Sequence, residues 1–357
     1  MVKATDGTVT GDRLRLSVLD QSPIPEGADG GVALRNSIDL AKLADGLGYD
    51  RYWVAEHHGT PALACTSPEV LIGLIGAATG RIRVGSGGVM LPHYSPLKVA
   101  ETFSMLSGLF PGRVDLGIGR AAGTDRATAF ALQRDRRHPA PDDFPEQLDE
   151  LLRYVAGREQ PDQRFSRHVV LPGRPHAPGP WLLGSSHQSA LWAAERGLPY
   201  VFADFINPHG AEVAVLYRKR FEPSSTLDQP RVAVAGWAVC ADTDEEAERL
   251  ASSFRMLMTL MHRGQLIPVP PPEKALAFLR EEEGRLGSAM ALHRRLIVGT
   301  PGVVRDGIES LAREYGADEV MLVNILYDHA ARRRSYELIA DVFGLSRIRR
   351  EVPVADA

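Results

Sequence analysis

A single (β/α)8 barrel is the fold this sequence predicts, and three observations lead to it. Short apolar stretches alternate with amphipathic ones eight times, as a parallel sheet wrapped in helices requires. The 357 residues, 44% of them hydrophobic, suit one large closed barrel with its own core. The residues best suited to chemistry fall where apolar stretches end, which in a barrel is the C-terminal rim. A doubly wound open sheet is the rival, but eight units over this length fit one closed barrel better. The whole of 1–357 therefore reads as one domain.

Residues 1–12 are polar and Gly/Thr-rich, without the apolar core of a signal peptide, and predict a frayed N-terminus. Residues 14–19 are a first buried strand, closed by Asp20-Gln21-Ser22-Pro23. Leu34, Ile38, Ala41 and Leu47 recur at helical spacing over 33–47, and Gly48 is the stop. Residues 51–56 are the second strand, running into His57-His58-Gly59. Ser67 as cap and Pro68 at the first position open a helix over Pro68–Ala78. Residues 82–92 start as a third strand and end in glycines. A helix over Pro96–Leu109 stops at Pro111-Gly112, and 114–118 is the fourth strand.

Residues 129–145, rich in Arg, Asp and Pro, read mostly as loop, 145–155 as a helix, and 165–180 as a surface hairpin or loop. Strands five, six and seven are 181–183, 200–205 and 231–241, with helices over 188–196, 208–221 and 243–262. Thr243 with Glu246 three residues on has the spacing of a capping box. Residues 263–295 break the rhythm as an insertion after strand seven, with a polyproline-like run at 268–272 and a charged helical stretch at 274–284. A helix over Pro301–Tyr315, the eighth strand at 319–325 and a helix over 330–343 complete the barrel.

A formal net charge of -4 gives no reason for a nucleic-acid or anionic-membrane partner. No apolar run is long enough to span a bilayer. Cys65 and Cys240 are far apart and form no metal cluster, which predicts buried thiols in a reducing cytoplasm.

Four strand ends converge on one rim. Gly85, Gly87 and Gly88 let a flat ligand approach the backbone, and Gly87-Gly88 is the least hindered place for a non-proline cis peptide. Gly184-Ser185-Ser186-His187-Gln188-Ser189 opens a helix, whose free N–H groups attract an anion. Ser186 and Ser189 add hydroxyls, and Arg120 can pair with a phosphate; a plain serine N-cap is the alternative. The glycines over 117–123 are spaced one residue too long for a dinucleotide fingerprint. His57 and His58 are adjacent and face opposite sides of a strand, the first strand has no histidine, and His93, His187 and His209 are scattered, so no catalytic metal is expected. His57 is the candidate for proton transfer, titrating near working pH. Glu56 is either its partner in chemistry or a structural ion-pair partner.

Val54-Ala-Glu-His-His-Gly59, Arg83-Val-Gly-Ser-Gly-Gly-Val-Met-Leu-Pro92, Gly112-Arg-Val-Asp-Leu-Gly-Ile-Gly-Arg120 and Gly184-Ser-Ser-His-Gln-Ser-Ala-Leu-Trp-Ala-Ala194 together resemble the luciferase-like monooxygenases, over residues 14–343. The resemblance implies reduced FMN on the barrel rim, with a cis Gly87–Gly88 bond under the isoalloxazine ring. It implies that His57, with Glu56 beside it, acts on a C4a-peroxyflavin formed with O2, and that one oxygen atom enters a small organic substrate. Arg120, Ser186 and Ser189, with Gly184 opening their segment, correspond to the phosphate site. Gly119 stands where the luciferase alpha subunit has a reactive cysteine, so light emission is not implied and the substrate space is larger. With no NADH fingerprint, a separate flavin reductase is the expected donor. An F420-dependent oxidoreductase on the same fold, a non-catalytic flavin-binding protein and a metallohydrolase remain open. Relatives pair through helices near strands two and three, which implies a homodimer here through Leu71, Leu74, Ile75, Met105 and Leu106. Residues 263–295, Gly/Pro-rich and short of apolar surface, are expected to order poorly alone and to close over the flavin as a lid.

Overall fold

β1 (Arg15–Asp20) turns into α1 (Gly30–Leu47). Asp29 caps that helix by accepting from the Val32 N–H (2.8 Å). Gly48 ends it at φ 102°, where a Cβ would stand 2.7 Å from the Leu345 carbonyl oxygen. β2 (Arg51–Val54) and α2 (Pro68–Ala78) follow. Pro68 opens α2 as expected, but the Ser67 hydroxyl makes no cap bond. β3 (Arg83–Ser86) resumes beyond Gly87 and Gly88 as β4 (Val89–Met90), and a 3-10 turn (Leu91–His93) leads to α3 (Pro96–Leu109) and β5 (Val114–Gly119). α4 (Arg126–Leu132) starts just ahead of the stretch read as loop and runs into it. Asp125 caps it by accepting from the Ala127 and Thr128 N–H groups, a local start that the Arg- and Asp-rich composition disguised.

The computed structural model describes residues 13–120, 125–133, 136–138, 142–158, 170–172, 176–208, 210–286 and 295–345. Half of the loop expected over 165–180 lies outside them, and its last two residues, Gly179 and Pro180, already belong to a strand. α5 (Phe144–Ala156), β6 (Gly179–Gly184), α6 (His187–Glu195), β7 (Tyr200–Ala203), α7 (Ala211–Arg220), β8 (Val232–Cys240) and α8 (Asp244–His262) continue the alternation. Thr243 accepts from the Glu246 N–H (3.2 Å), yet the Glu246 carboxylate pairs with Arg249, so only half of the expected box forms. α9 (Pro272–Leu286), β9 (Leu296–Gly299), α10 (Pro301–Tyr315), β10 (Glu319–Val323) and α11 (His329–Val342) complete the chain. β9, a short apolar run, is an addition the sequence pattern did not announce.

Every strand pairing is parallel. β1, β2, β3, β5, β6, β7, β8 and β10 form the ring, which closes because β10 pairs with both β8 and β1. This is the eight-stave barrel that the alternation predicts. β4 lengthens the β3 stave by pairing Val89 with Ile118, and β9 pairs only with the upper end of β8, Trp237 to Cys240. Side chains alternate along each stave. On β8, Val232 and Val234 join the core under the helices, while Ala233, Ala235 and Trp237 join the core inside the ring.

The N-terminal mouth of the ring is closed by ions. Arg51 bonds Asp115 (2.6 Å) and Glu319 (2.9 Å), Arg83 also pairs with Asp115, and Arg231 approaches Glu319 at 3.4 Å. Trp53 Nε1 donates to Asp115 (3.0 Å) and Ser17 Oγ to Glu319 (2.6 Å), and the guanidinium groups of Arg51 and Arg231 both lie 4.8 Å from the Trp181 ring. Buried charges persist only when paired in this way. The opposite, C-terminal mouth is left for function.

Candidate active site

β2, β3 with β4, β5 and β6 are neighbours in the ring, so the residues that follow them share one stretch of rim. Glu56 is fully buried there. Its Oε1 accepts from His58 Nε2–H (2.8 Å) and Tyr94 Oη–H (3.0 Å), and its Oε2 from the Met90 backbone N–H (3.0 Å). Residues two apart on an extended chain share a face, so the Glu56–His58 bond turns the intervening His57 the other way. The His57 N–H donates to the Cys65 carbonyl (3.0 Å), while its ring Nδ1 is enclosed and has no hydrogen-bond partner among the described residues. Burial, and secondarily the neighbouring His58, push the His57 imidazole down to about 4. It is therefore neutral at physiological pH and does not titrate near pH 7 as the sequence reading expected.

The Gly87–Gly88 peptide bond is cis, as the resemblance implied. It is bracketed by bonds to the end of β2, Gly87 N–H to the Val54 carbonyl (2.8 Å) and Met90 N–H to Glu56. The reason for glycine differs from the expectation of ligand approach alone. A Cβ on Gly87 would lie 2.3 Å from Leu19 Cδ1, and one on Gly88 2.9 Å from the Gly117 carbonyl oxygen. Close packing of neighbouring staves already forbids a side chain at Gly88, where backbone stands in the way, while at Gly87 the tip of Leu19 would have to move.

The serines divide. Ser186 caps α6 and forms a full capping box with Ser189. Ser189, 7% exposed, donates its hydroxyl proton to the Ser186 carbonyl (2.8 Å). Its oxygen accepts from Tyr200 Oη–H (2.9 Å) and the Ser186 N–H (3.4 Å). That hydroxyl is fully engaged inside the protein. Ser186 is exposed, and its O–H can turn outward. Gly184 is required by the same cap, because a Cβ there would lie 2.2 Å from Ser189 Oγ. Arg120 is brought to α6 by stacking on Trp192 (5.5 Å to the ring centroid), and it bonds the exposed Asp142 (2.8 Å). Sequence reasoning missed Tyr94, Trp192 and Asp142. Only Tyr94 left a signal, its place just past the glycine-ended third strand.

The insertion is anchored at the C-terminal end of β1. Val269 is fully buried, its N–H donates to the Ile24 carbonyl (2.9 Å), and its carbonyl accepts from the Glu26 N–H (2.8 Å). Ala275 on α9 is buried against α8, and Lys274 pairs with Glu26 (2.7 Å). This corrects the expectation of a segment that buries little apolar surface. Its first half is a strap docked on the loop after β1, while 287–294 lie outside the described residues. Beneath it, Phe254 and Leu257 of α8 pack on Trp237 and Val323 of the inner core.

Among the described residues no group of His, Cys, Asp and Glu could hold a metal ion, and no helix is long and apolar enough to cross a membrane. The luciferase-like monooxygenase family model matches residues 14–319. A luciferase-like monooxygenase of Escherichia coli strain K12 is 40% identical over 338 residues, covering 94% of this chain and 98% of that protein. An N-acetyl-S-alkylcysteine monooxygenase of Bacillus subtilis strain 168 is 37% identical over 334 residues, covering 92% and 98%. The crystal structure of apo-MsnO8 matches with a TM-score of 0.84 at 40% identity, over 93% of this chain and 99% of that one. The chain therefore belongs to the luciferase-like monooxygenase family. Two more distant structures share the fold alone. One is the FMN complex of the oxygenating component of a Pseudomonas putida 3,6-diketocamphane monooxygenase, with a TM-score of 0.69 at 20% identity over 93% and 98% of the chains. The other is an F420-dependent secondary alcohol dehydrogenase, with a TM-score of 0.66 at 15% identity over 93% and 99%.

Proposed function

We propose that this protein is a flavin-dependent monooxygenase that uses reduced FMN and O2 to oxygenate a small organic substrate. The observation that carries the reading is His57 Nδ1, an enclosed and partnerless nitrogen turned away from the Glu56–His58 pair beside the side-chain-free Gly87–Gly88 rim. A buried polar atom without a partner calls for one, and family membership supports a bound flavin as that partner. Bound reduced flavin supplies the electrons that activate O2, one oxygen atom going to the substrate and the other leaving as water.

The protein's own part is positional. Gly87 and Gly88 carry the ring. His57, neutral, accepts or returns a proton at Nδ1. Glu56, whose two oxygens already hold three donors, keeps His57 turned to the mouth and is a positioning residue. Arg120 and Ser186, with the first N–H groups of α6 after Gly184, hold the phosphate; Ser189 shapes that helix end without touching the ligand. The strap, with α8 and α9 packed on each other, excludes water. Reduced flavin comes from a separate reductase.

Anaerobic titration tests the cofactor. Reduced FMN should bind tightly and F420 weakly, and the reverse would make the protein a hydride-transfer enzyme. An 18O2 pulse with thioethers, suggested by the N-acetyl-S-alkylcysteine relative, should label the product with a single oxygen atom. Oxygen uptake that returns only peroxide across a broad thioether and ketone panel would refute a monooxygenase.

A further inference from the structure

Trp237 Nε1, like His57 Nδ1, is a buried atom without a hydrogen-bond partner among the described residues, and nothing above gives it a use. The residue is 4% exposed. Its inward-facing counterpart Trp53 is satisfied, donating to Asp115 at 3.0 Å. A buried N–H left unmade is costly, so a satisfied tryptophan in the same core sharpens the contrast.

Register places Trp237 at the functional end. It pairs with Val323, the last residue of β10, and lies two residues beyond Ala235, which pairs with Ala203, the last residue of β7. It therefore stands at the top rung of the ring. Phe254 packs on its ring from α8 (4.1 Å between centroids), and Phe205 meets it edge-on from the end of β7 (5.5 Å, 74° between planes). Ile267 of the strap and Tyr327 pack against the same core and are only partly buried. The surroundings offer aromatic and aliphatic surface, with the Trp237 indole N–H as a buried donor without a partner among the described residues.

We propose that Trp237 is the polar contact of a substrate subsite, its indole N–H receiving the carbonyl oxygen of an otherwise apolar substrate. The proposal rests on reading this mouth as the active site and assigns the substrate's chemistry: a hydrophobic body with a carbonyl acceptor. The neighbouring flavin is not the acceptor.

Indole NMR tests this without turnover. The 15N-labelled protein has four tryptophan side-chain signals, and Trp237→Phe identifies one of them. Should that variant fail to fold, Phe254→Leu assigns the same signal by removing the ring current over it. In the free protein the Trp237 proton should resonate upfield of that of Trp53, which is bonded to a carboxylate. 2-Octanone should move it downfield in a saturable way, and the matched hydrocarbon 2-methyl-1-octene should not. The ketone should bind Trp237→Phe roughly fivefold more weakly, as loss of one neutral hydrogen bond implies, with hydrocarbon affinity unchanged. The proposal is overturned if the ketone leaves the signal in place, as an N–H turned onto the Phe205 ring would. It is also overturned if ketone and hydrocarbon move the signal alike, or if FMN alone moves it downfield. Failure of FMN to bind would sink the flavin reading and leave the ketone result standing.

Discussion

Ser186 and Ser189 look equivalent in the sequence and are not. The hydroxyl of Ser189 is used up by the Ser186 carbonyl, Tyr200 and the Ser186 N–H, whereas Arg120 is held, among the described residues, by an exposed aspartate and an aromatic face. Arg120→Ala should weaken FMN about tenfold and riboflavin hardly at all, since a charge-assisted bond contributes about 1.5–3 kcal/mol. Ser189→Ala should leave both affinities within about twofold and lower the melting temperature by loss of the Ser189 half of the capping box. Fluorescence titration with both ligands checks the pair, and a selective loss of FMN in Ser189→Ala would return that hydroxyl to the phosphate. His57 supplies a pH prediction. Its folded imidazole sits at about 4, against 6.5 for the unsheltered ring. As pH falls below about 6.5 the unfolded chain takes the proton first, so the native state loses stability from there to about 4; above 6.5 the effect vanishes. Melting curves of the wild type should therefore fall relative to His57→Gln as pH drops from 7 to 4.5. Parallel curves would mean a well-hydrated ring.

The elements show where sequence reading succeeds and where it stops. The eight staves were legible because each is a short apolar run between turn signals, and Gly87-Gly88 because two glycines at a strand end are conspicuous. The partners of Glu56 were not, since Met90 and Tyr94 lie 34 and 38 residues away and no local pattern encodes such a meeting. The ionic base is the same case: Arg51, Asp115 and Glu319 come from three strands far apart in the chain. Asp115→Ala would leave Arg51 half-paired and the Trp53 N–H without an acceptor, and should cost about 3–5 kcal/mol. Asp115→Asn, which keeps an acceptor, should cost less. Denaturant midpoints at constant slope report the difference. The strap misled because its prolines and charges mask buried residues, Val269 and Ala275 among them. Val269→Gly gives up about 1.5–3 kcal/mol of burial. It should speed amide exchange at Glu26 and Val269 and raise peroxide released per O2 consumed. Faster exchange with unchanged peroxide would make the strap structural only.

For the whole molecule, three of the five residues expected in the pairing surface turned out to be core. Leu71, Ile75 and Leu106 are buried, while Val70, Leu74, Met105 and Leu109 are 65%, 55%, 57% and 68% exposed. Their i, i+4 spacing lays an apolar stripe on each of α2 and α3, and these helices are in contact. Large apolar surface of this kind marks an interface, and a two-fold pair is the commonest way to cover it. The protein should be a dimer by light scattering at micromolar concentration, and Leu74→Glu with Met105→Glu should leave a folded monomer. A wild-type monomer would refute the assignment.

Glu319 lies on the strand that is synthesised last among the staves. Arg51, Ser17 and Arg231, from the second, first and seventh staves, all converge on it. A nascent chain therefore displays most of its barrel before their shared counter-ion exists. Until β10 emerges, those arginines lack Glu319 as a partner, and β1 and β8 each present an unpaired edge. Closure is thus tied to the end of translation, and a polypeptide arrested short of residue 319 is an open ribbon dependent on chaperones rather than a smaller barrel.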